Sequence, residues 1–354
     1  MPQLGDNNRR IEYIDAMRGF TMLLVILSHI HMFCYGGPLF YSYNYIFLKV
    51  RMPLFFFISG WVLSNHKNNS CFTILHFLTK KIRVQIISTS IFFTLYVYLN
   101  NFSIVDSIFD GNKSGYWFTF VLFIYFCFYG ISKLLSFLIK NENFCFIAIC
   151  SIVMGIFIYT QHDITNRQSD ISYKNIYDFL CVKQWRFFVF FVMGLFCKKY
   201  IRKFHLCIDN SIFMVLCITI FIFYIFIDKS ISVSLRFIIE GATGIIIVYS
   251  FFRKNESIFK KANTLGRILQ LIGRRTLDIY LLHYFFLPRN LNILGDFFRE
   301  NNNPSLEIFF SLGVSILVII VCLIVSQILR LSNHLTYILF GGKLEPSKIA
   351  KDMS

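Results

Sequence analysis

A succession of apolar runs, parted by short basic clusters, governs what this chain can become. Runs near 14–34, 45–65, 84–100, 116–137, 143–160, 183–198, 208–228, 231–252, 268–288 and 306–330 approach or exceed the length needed to cross ~30 Å of hydrocarbon. In hydrocarbon each backbone N–H and C=O must be satisfied within the protein, which makes the helix the solution for a run of this length. Charged residues supply only 15% of the 354 and hydrophobic ones 56%, where a soluble domain carries roughly 25% charge. The expectation is an all-α polytopic membrane protein of about ten transmembrane helices. The chain reads as a single membrane-embedded domain over 1–354, with its core at about 11–332.

The 44 Phe and 19 Tyr suit lipid-facing and interfacial positions. Met1 to Arg10 is polar and no small-residue cleavage site follows the first run, so that run reads as a retained helix. The net charge of +16 raises nucleic acid as a partner. The basic residues sit in clusters between apolar runs, as topology determinants do, and nucleic acid is rejected. Most of the 35 Lys and Arg fall on one set of connections, among them Arg9, Arg10, Lys67, Lys80, Lys81, Arg83, Lys198, Lys199, Arg253, Lys254, Lys343, Lys348 and Lys351. The positive-inside rule then puts both termini in the cytoplasm, and an even number of spans agrees. The longest outward connection, about 161–182, is too short for a domain. The ten cysteines form no CxxC pair and lie mostly inside apolar runs. They read as small buried hydrophobes, with neither a zinc site nor a disulfide framework indicated, and no metal is expected.

The first apolar run contains Asp15, Arg18 and His29. Eleven helical steps of about 100° nearly restore the azimuth, so Arg18 and His29 share a face, with His29 roughly 16 Å deeper. Asp15, Met22 and His29 recur at seven-residue intervals and share it too. Ionisable groups at membrane depth face the protein interior and are functional candidates. The plainer reading is that Arg18 snorkels to headgroups and His29 bonds a backbone carbonyl. Asp15, three residues before Arg18, reads as its ion-pair partner.

Further along come Arg51-Met52-Pro53-Leu54-Phe55-Phe56-Phe57-Ile58-Ser59-Gly60-Trp61, the basic Lys80-Lys81-Ile82-Arg83, and Thr276-Leu277-Asp278-Ile279-Tyr280-Leu281-Leu282-His283. With the Arg-x10-His element from Arg18 to His29 and its lead-in Tyr13-Ile14-Asp15-Ala16-Met17, these resemble the integral-membrane acyltransferase 3 family in order and spacing, from Ile11 to about Ser332. The chain has Lys81 where the family often has an arginine, which keeps the charge but loses the bidentate fork.

The resemblance implies an O-acetyltransferase without a fused hydrolase domain. Such an enzyme moves acetyl from cytoplasmic acetyl-CoA to a hydroxyl of a cell-surface polysaccharide or lipid-linked glycan, at the bacterial inner (plasma) membrane. Its partners would be an acyl-CoA donor, a carbohydrate or glycolipid acceptor and membrane lipids. Alcoholysis of a thioester needs a base for the hydroxyl proton, and an imidazole suits neutral pH; His29 is the candidate, with Arg18 beside it in the catalytic set. Arg18, Lys80, Lys81 and Arg83 form a basic rim for the CoA phosphates. Asp15, Ser59, Tyr280 and His283 are candidate supporting residues.

Several other residues carry plainer expectations. Ser59-Gly60 is a packing notch that lets helices approach, and Pro53 bends or starts its helix. His283 reads first as an interfacial histidine near the outer end, and second as an acceptor-binding group. His31 points to another face and is peripheral. Trp117, Trp185 and Arg186 sit at span starts as interfacial anchors, although Arg186 and Arg236 could line an acceptor cavity. Glu240 interrupts its helix without an assignable role. The competing class is a transporter or flippase of an anionic or glycan substrate, for which corresponding broken helices in two halves are absent from the pattern. A longer or charged acyl donor, such as succinyl, would leave the catalytic residues unchanged.

Overall fold

The computed structural model describes residues 11–36, 44–63, 70–167, 174–226, 232–301 and 303–342. The topology charges at Arg9, Arg10, Lys67, Lys343, Lys348 and Lys351, and positions 168–173 of the expected outward connection, lie outside them. Among the described residues every regular element is helical. The first are α1 (Glu12–Phe33), α2 (Asn44–Leu63) and α3 (Cys71–Lys81), which runs through a π-helical turn, Ile82–Ile87, into α4 (Ser88–Leu99). A short α5 (Ile104–Phe109) and a 3-10 turn, Lys113–Gly115, lead to α6 (Trp117–Ile139) and α7 (Glu142–Arg167). Next come α8 (Lys174–Phe179), a 3-10 turn Val182–Phe187, α9 (Phe188–Lys199), α10 (Ile201–Asp209), α11 (Ser211–Phe226) and α12 (Val233–Lys254). The chain closes with α13 (Thr264–Arg274), α14 (Thr276–Phe286), α15 (Asn292–Asn301), α16 (Pro304–Leu329) and α17 (Asn333–Phe340).

The protein is an all-α, multi-pass membrane protein. Seven helices are long and apolar enough to cross a bilayer: α1, α2, α3 continued through α4, α6, α7, α12 and α16. The pair α10–α11, bent by 80°, makes an eighth if it counts as one span. All ten expected runs are helical over most of their described residues, but three are not single long helices; the run at 208–228 bends at Asn210 between α10 and α11. The run at 183–198 opens as a 3-10 turn before the 12-residue α9, and the run at 268–288 breaks at Arg275 between α13 and α14. Exposed Leu138, Ile212 and Leu331 fit a lipid-facing surface rather than a soluble one.

Two glycine-lined contacts set the framework. Gly19 of α1 and Gly273 of α13 lie against each other's helix backbones, and Gly60 of α2 and Gly194 of α9 do the same. A methyl at any of the four would strike a facing carbonyl. Lipid offers no hydrophobic drive between helices, so association relies on this close packing and on Cα–H···O contacts. The notch expected at Ser59-Gly60 is therefore real, with α9 as its partner. Pro53 is inside α2 and does not end it.

Buried polar groups then pin helices in register. Glu240 meets Arg236 at 2.8 Å and Lys49 of α2 at 2.8 Å, which supplies the structural role its sequence context lacked. His31, expected to be peripheral, is buried with Nδ1 3.0 Å from Glu307 of α16. It faces away from the His29 side, but that side is filled by α16 rather than by lipid. Asp278 of α14 accepts two 2.8 Å bonds from Arg330, and Ser326 adds a hydroxyl donor at 2.5 Å. A buried carboxylate so fully paired resists rotation of α14, and α14 carries much of the site.

Candidate active site

Arg18, Val25 and His29, spaced by seven and then four residues, line one side of a cavity of about 190 Å³. The shared face expected from helical periodicity is thus built. From α2 the cavity receives Arg51, Met52, Phe55 and Ser59, again a helical stripe. Ser59 gives its hydroxyl proton to the Phe55 carbonyl at 2.9 Å, so its oxygen is what remains for a ligand. Lys81, Val84 and Gln85 enter where α3 passes into the π-helical turn. The extra residue per turn in π geometry shifts the register of side chains, a device common at functional sites. The Gln85 carboxamide oxygen is buried there without a hydrogen-bond partner.

Opposite His29, α14 presents Leu277, Tyr280 and Tyr284 to the same space. The ring of His283 lies edge to edge with that of His29, with centroids 5.0 Å apart and planes within 9°. Nδ1 of His283 lies 2.8 Å from the Tyr280 carbonyl and 3.2 Å from that of Ile279. A carbonyl only accepts, so Nδ1 of His283 carries the proton and its Nε2 is an acceptor. His29 Nδ1 stands 2.9 Å from that Nε2 and must therefore donate to it. The tautomer of His29 is fixed by this chain, which leaves His29 Nε2 as the basic nitrogen. The Tyr284 hydroxyl donates to the Gly115 carbonyl at 3.3 Å and sits 3.5 Å from His29 Nε2.

The segment before α6 holds α14 in place. Tyr116 gives its hydroxyl proton to the Leu281 carbonyl at 2.9 Å, while Tyr280 donates to Gly115 and accepts from the Phe118 N–H, each at 3.2 Å. Gly115 adopts φ +99° with the Tyr284 ring against its α-carbon, a position only glycine fills without strain.

A second cavity, about 770 Å³, meets the first. His29, Arg51, Met52, Gly115, Trp117 and Tyr284 border both. It widens away from Arg18 and Lys81 towards Lys183, Arg186 and Arg289. His29 and Arg51 thus form a throat between a narrow basic chamber and a broad one.

Of the sequence candidates, the structure brings Arg18, His29, Ser59, Lys81 and Tyr280 to the narrow chamber and His283 into contact with His29. Lys80 is exposed and Arg83 stacks its guanidinium 4.3 Å over Tyr337, so neither lines it. Asp15 packs its carbonyl on Gly273 instead of lining either chamber. His283 is no interfacial residue: it is fully buried. Trp117 is more than an anchor, since it walls both chambers, and Arg186 does line the broad one. Arg236 is committed to Glu240.

Sequence reasoning gave Arg51, Gln85 and Tyr284 no role. Arg51 begins a quoted motif, and a charge eight residues into an apolar helix was a usable signal. Gln85 and Tyr284 offered none.

Helices that cross a membrane here enclose a buried imidazole with basic residues at one approach. The comparison with known families names the class. A family described as an acyltransferase domain matches residues 11–326, and the chain belongs to this acyltransferase 3 family. No curated protein and no solved structure matches it. The protein is a membrane acyltransferase.

Proposed function

We propose that this acyltransferase moves an acetyl group from cytoplasmic acetyl-CoA to a hydroxyl of a cell-surface or lipid-linked glycan, in the bacterial inner membrane. The observation that carries the reading is the meeting of two unlike chambers at His29. The narrow one, at about 190 Å³, falls below the 300–1,000 Å³ usual for ligand pockets. It suits a slender arm and a small acyl group. The broad one, at about 770 Å³, is of a size for sugar rings, and its aromatic walls suit their apolar faces.

The residues present fit the donor. Arg18 and Lys81 supply cations for phosphate, and the unpartnered Gln85 oxygen can accept from an amide N–H of the pantetheine arm. Bound acyl-CoA supplies an electrophilic thioester carbonyl and a thiol leaving group. His29 Nε2 takes the proton of the attacking hydroxyl, and His283 Nε2 steadies the resulting imidazolium by accepting from His29 Nδ1–H. His29 then returns the proton to the departing thiol, so the new ester and free CoA balance the reaction. Arg51 at the throat is placed to stabilise negative charge on the carbonyl oxygen as the bond forms.

Radiolabelled acetyl-CoA titrated onto purified protein in nanodiscs tests the reading. Saturable binding weakened about tenfold or more in Arg18→Ala and kept in His29→Ala is the expected result. Absence of saturable binding by folded wild-type protein removes acetyl-CoA as donor.

A further inference from the structure

The broad chamber has a charge pattern that a neutral sugar leaves unanswered. Lys183, Arg186 and Arg289 line it, with Arg51 at its floor, and no Asp or Glu stands among the described lining residues. Among the described acids nearby, Asp178 lies within electrostatic reach of Lys183 without lining the chamber, and two others are committed elsewhere. Asp110 turns its carboxylate onto the N–H groups of Asn112 at 3.1 Å and Ser114 at 3.2 Å, and Glu240 is bound by Arg236 and Lys49.

Arg186 is the most telling of these cations. Its guanidinium packs 4.6 Å from the Phe237 ring centroid and 5.1 Å from that of Phe187, and its Nε is buried without a hydrogen-bond partner. Arg51 is 8% exposed, its Nε is likewise unpartnered, and its remaining contacts, to the Val25 carbonyl at 3.5 Å and the Met32 sulfur at 3.8 Å, are long. A buried cation without a counter-charge is costly to maintain unless something brings one. At the rim, Asn100 accepts from Arg289 at 2.6 Å, which aims that guanidinium without neutralising it. Stacked, fork-shaped guanidiniums of this kind recognise carboxylate and phosphate oxygens in pairs.

We propose that the acceptor is an anionic saccharide: a sugar whose carboxylate or phosphate is held by Arg186, Lys183 and Arg289 while a hydroxyl is presented to His29. The inference rests on the acyltransferase reading above and adds the substrate class. Trp117 and Phe187, whose rings stack 6.0 Å apart, form the apolar wall for the ring faces.

The test uses full-length protein in nanodiscs of neutral phosphatidylcholine, titrated with three probes and followed by tryptophan fluorescence, Trp117 being in the chamber wall. The probes are trigalacturonate, its carboxyl-reduced neutral counterpart, and that neutral trisaccharide carrying one phosphate. At least one acidic probe is expected to bind about tenfold or more tightly than the neutral one, and whichever is tighter identifies the acid. The preference should shrink towards unity in Arg186→Gln and in Arg289→Gln, the latter on the exposed rim where substitution spares packing. Equal affinity for charged and neutral probes, no binding by any of them, or a preference unchanged in both variants overturns the proposal. A parallel titration with radiolabelled acetyl-CoA separates the two claims. Acid preference without donor binding supports the anion site while removing the donor reading, and donor binding without acid preference does the reverse.

Discussion

The two chambers that meet at His29 differ in how they are made. The narrow one is walled mostly by helix faces: a stripe of α1, a stripe of α2, the π-helical turn after α3, the start of α6 with Gly115 before it, and the inward side of α14. The broad one draws three of the four cations among its described lining residues from short connecting elements, Lys183 and Arg186 from the 3-10 turn before α9 and Arg289 from the segment after α14, with Arg51 of α2 at the throat. Rigid helices suit a donor of constant shape whose carbonyl must be held beside one imidazole. Connecting segments are where binding surfaces are varied on a fixed scaffold. On the proposed function, chemistry and donor choice reside in the helices, and acceptor choice in the segments between them.

The sharpest way to break that division is at the throat. His29→Ala should lower transfer by about 10²–10⁴-fold with acetyl-CoA binding intact; a variant with full transfer at normal abundance would remove His29 as base. A smaller effect is expected one step behind it. His283→Ala should lower kcat by roughly tenfold to a hundredfold, the worth of a hydrogen bond to a charged group, and leave the KM for acetyl-CoA unchanged. His283→Gln, whose amide oxygen can accept from His29 Nδ1–H, should recover part of the loss, which a merely structural residue would not do.

The donor side should separate cleanly from the acceptor side. Arg18→Ala should raise the KM for acetyl-CoA about tenfold or more without altering acceptor affinity, and an equal effect on both would erase the distinction between chambers. Packing offers a control. Gly60→Val should destabilise the protein by about 1–3 kcal/mol, read as earlier thermal unfolding in detergent, because its methyls meet α9 backbone. Least affected should be Lys80→Ala, exposed and outside both chambers; a change in donor KM beyond about twofold would extend the phosphate site past Lys81.

Much of this was legible in the chain. Length and apolarity of the runs dictated helices because hydrocarbon tolerates no unpaired backbone. The Arg18–His29 spacing placed both on one face because helix geometry is local and fixed. Even Gly60 could be read as a contact, though not which helix would fill it. Less accessible were the breaks at Arg275 and before Phe188, where short 3-10 or unwound turns interrupt runs whose hydropathy continues.

What the sequence determined by itself was therefore every property set by local periodicity: helices, their inward stripes, and an imidazole at depth below a cation. Only the tertiary structure decided which groups those stripes would meet. His29 and His283 are far apart in the chain, and their rings meet edge to edge because Gly19 and Gly273 allow α1 and α13 to touch and Asp278 locks α14 to α16. The same holds for Arg51 and Arg186. Each stands with a lysine two or three residues before it, Lys49 and Lys183, at an otherwise apolar stretch, and their convergence on a chamber without acids among its described lining residues follows from close packing between helices, which no local pattern encodes.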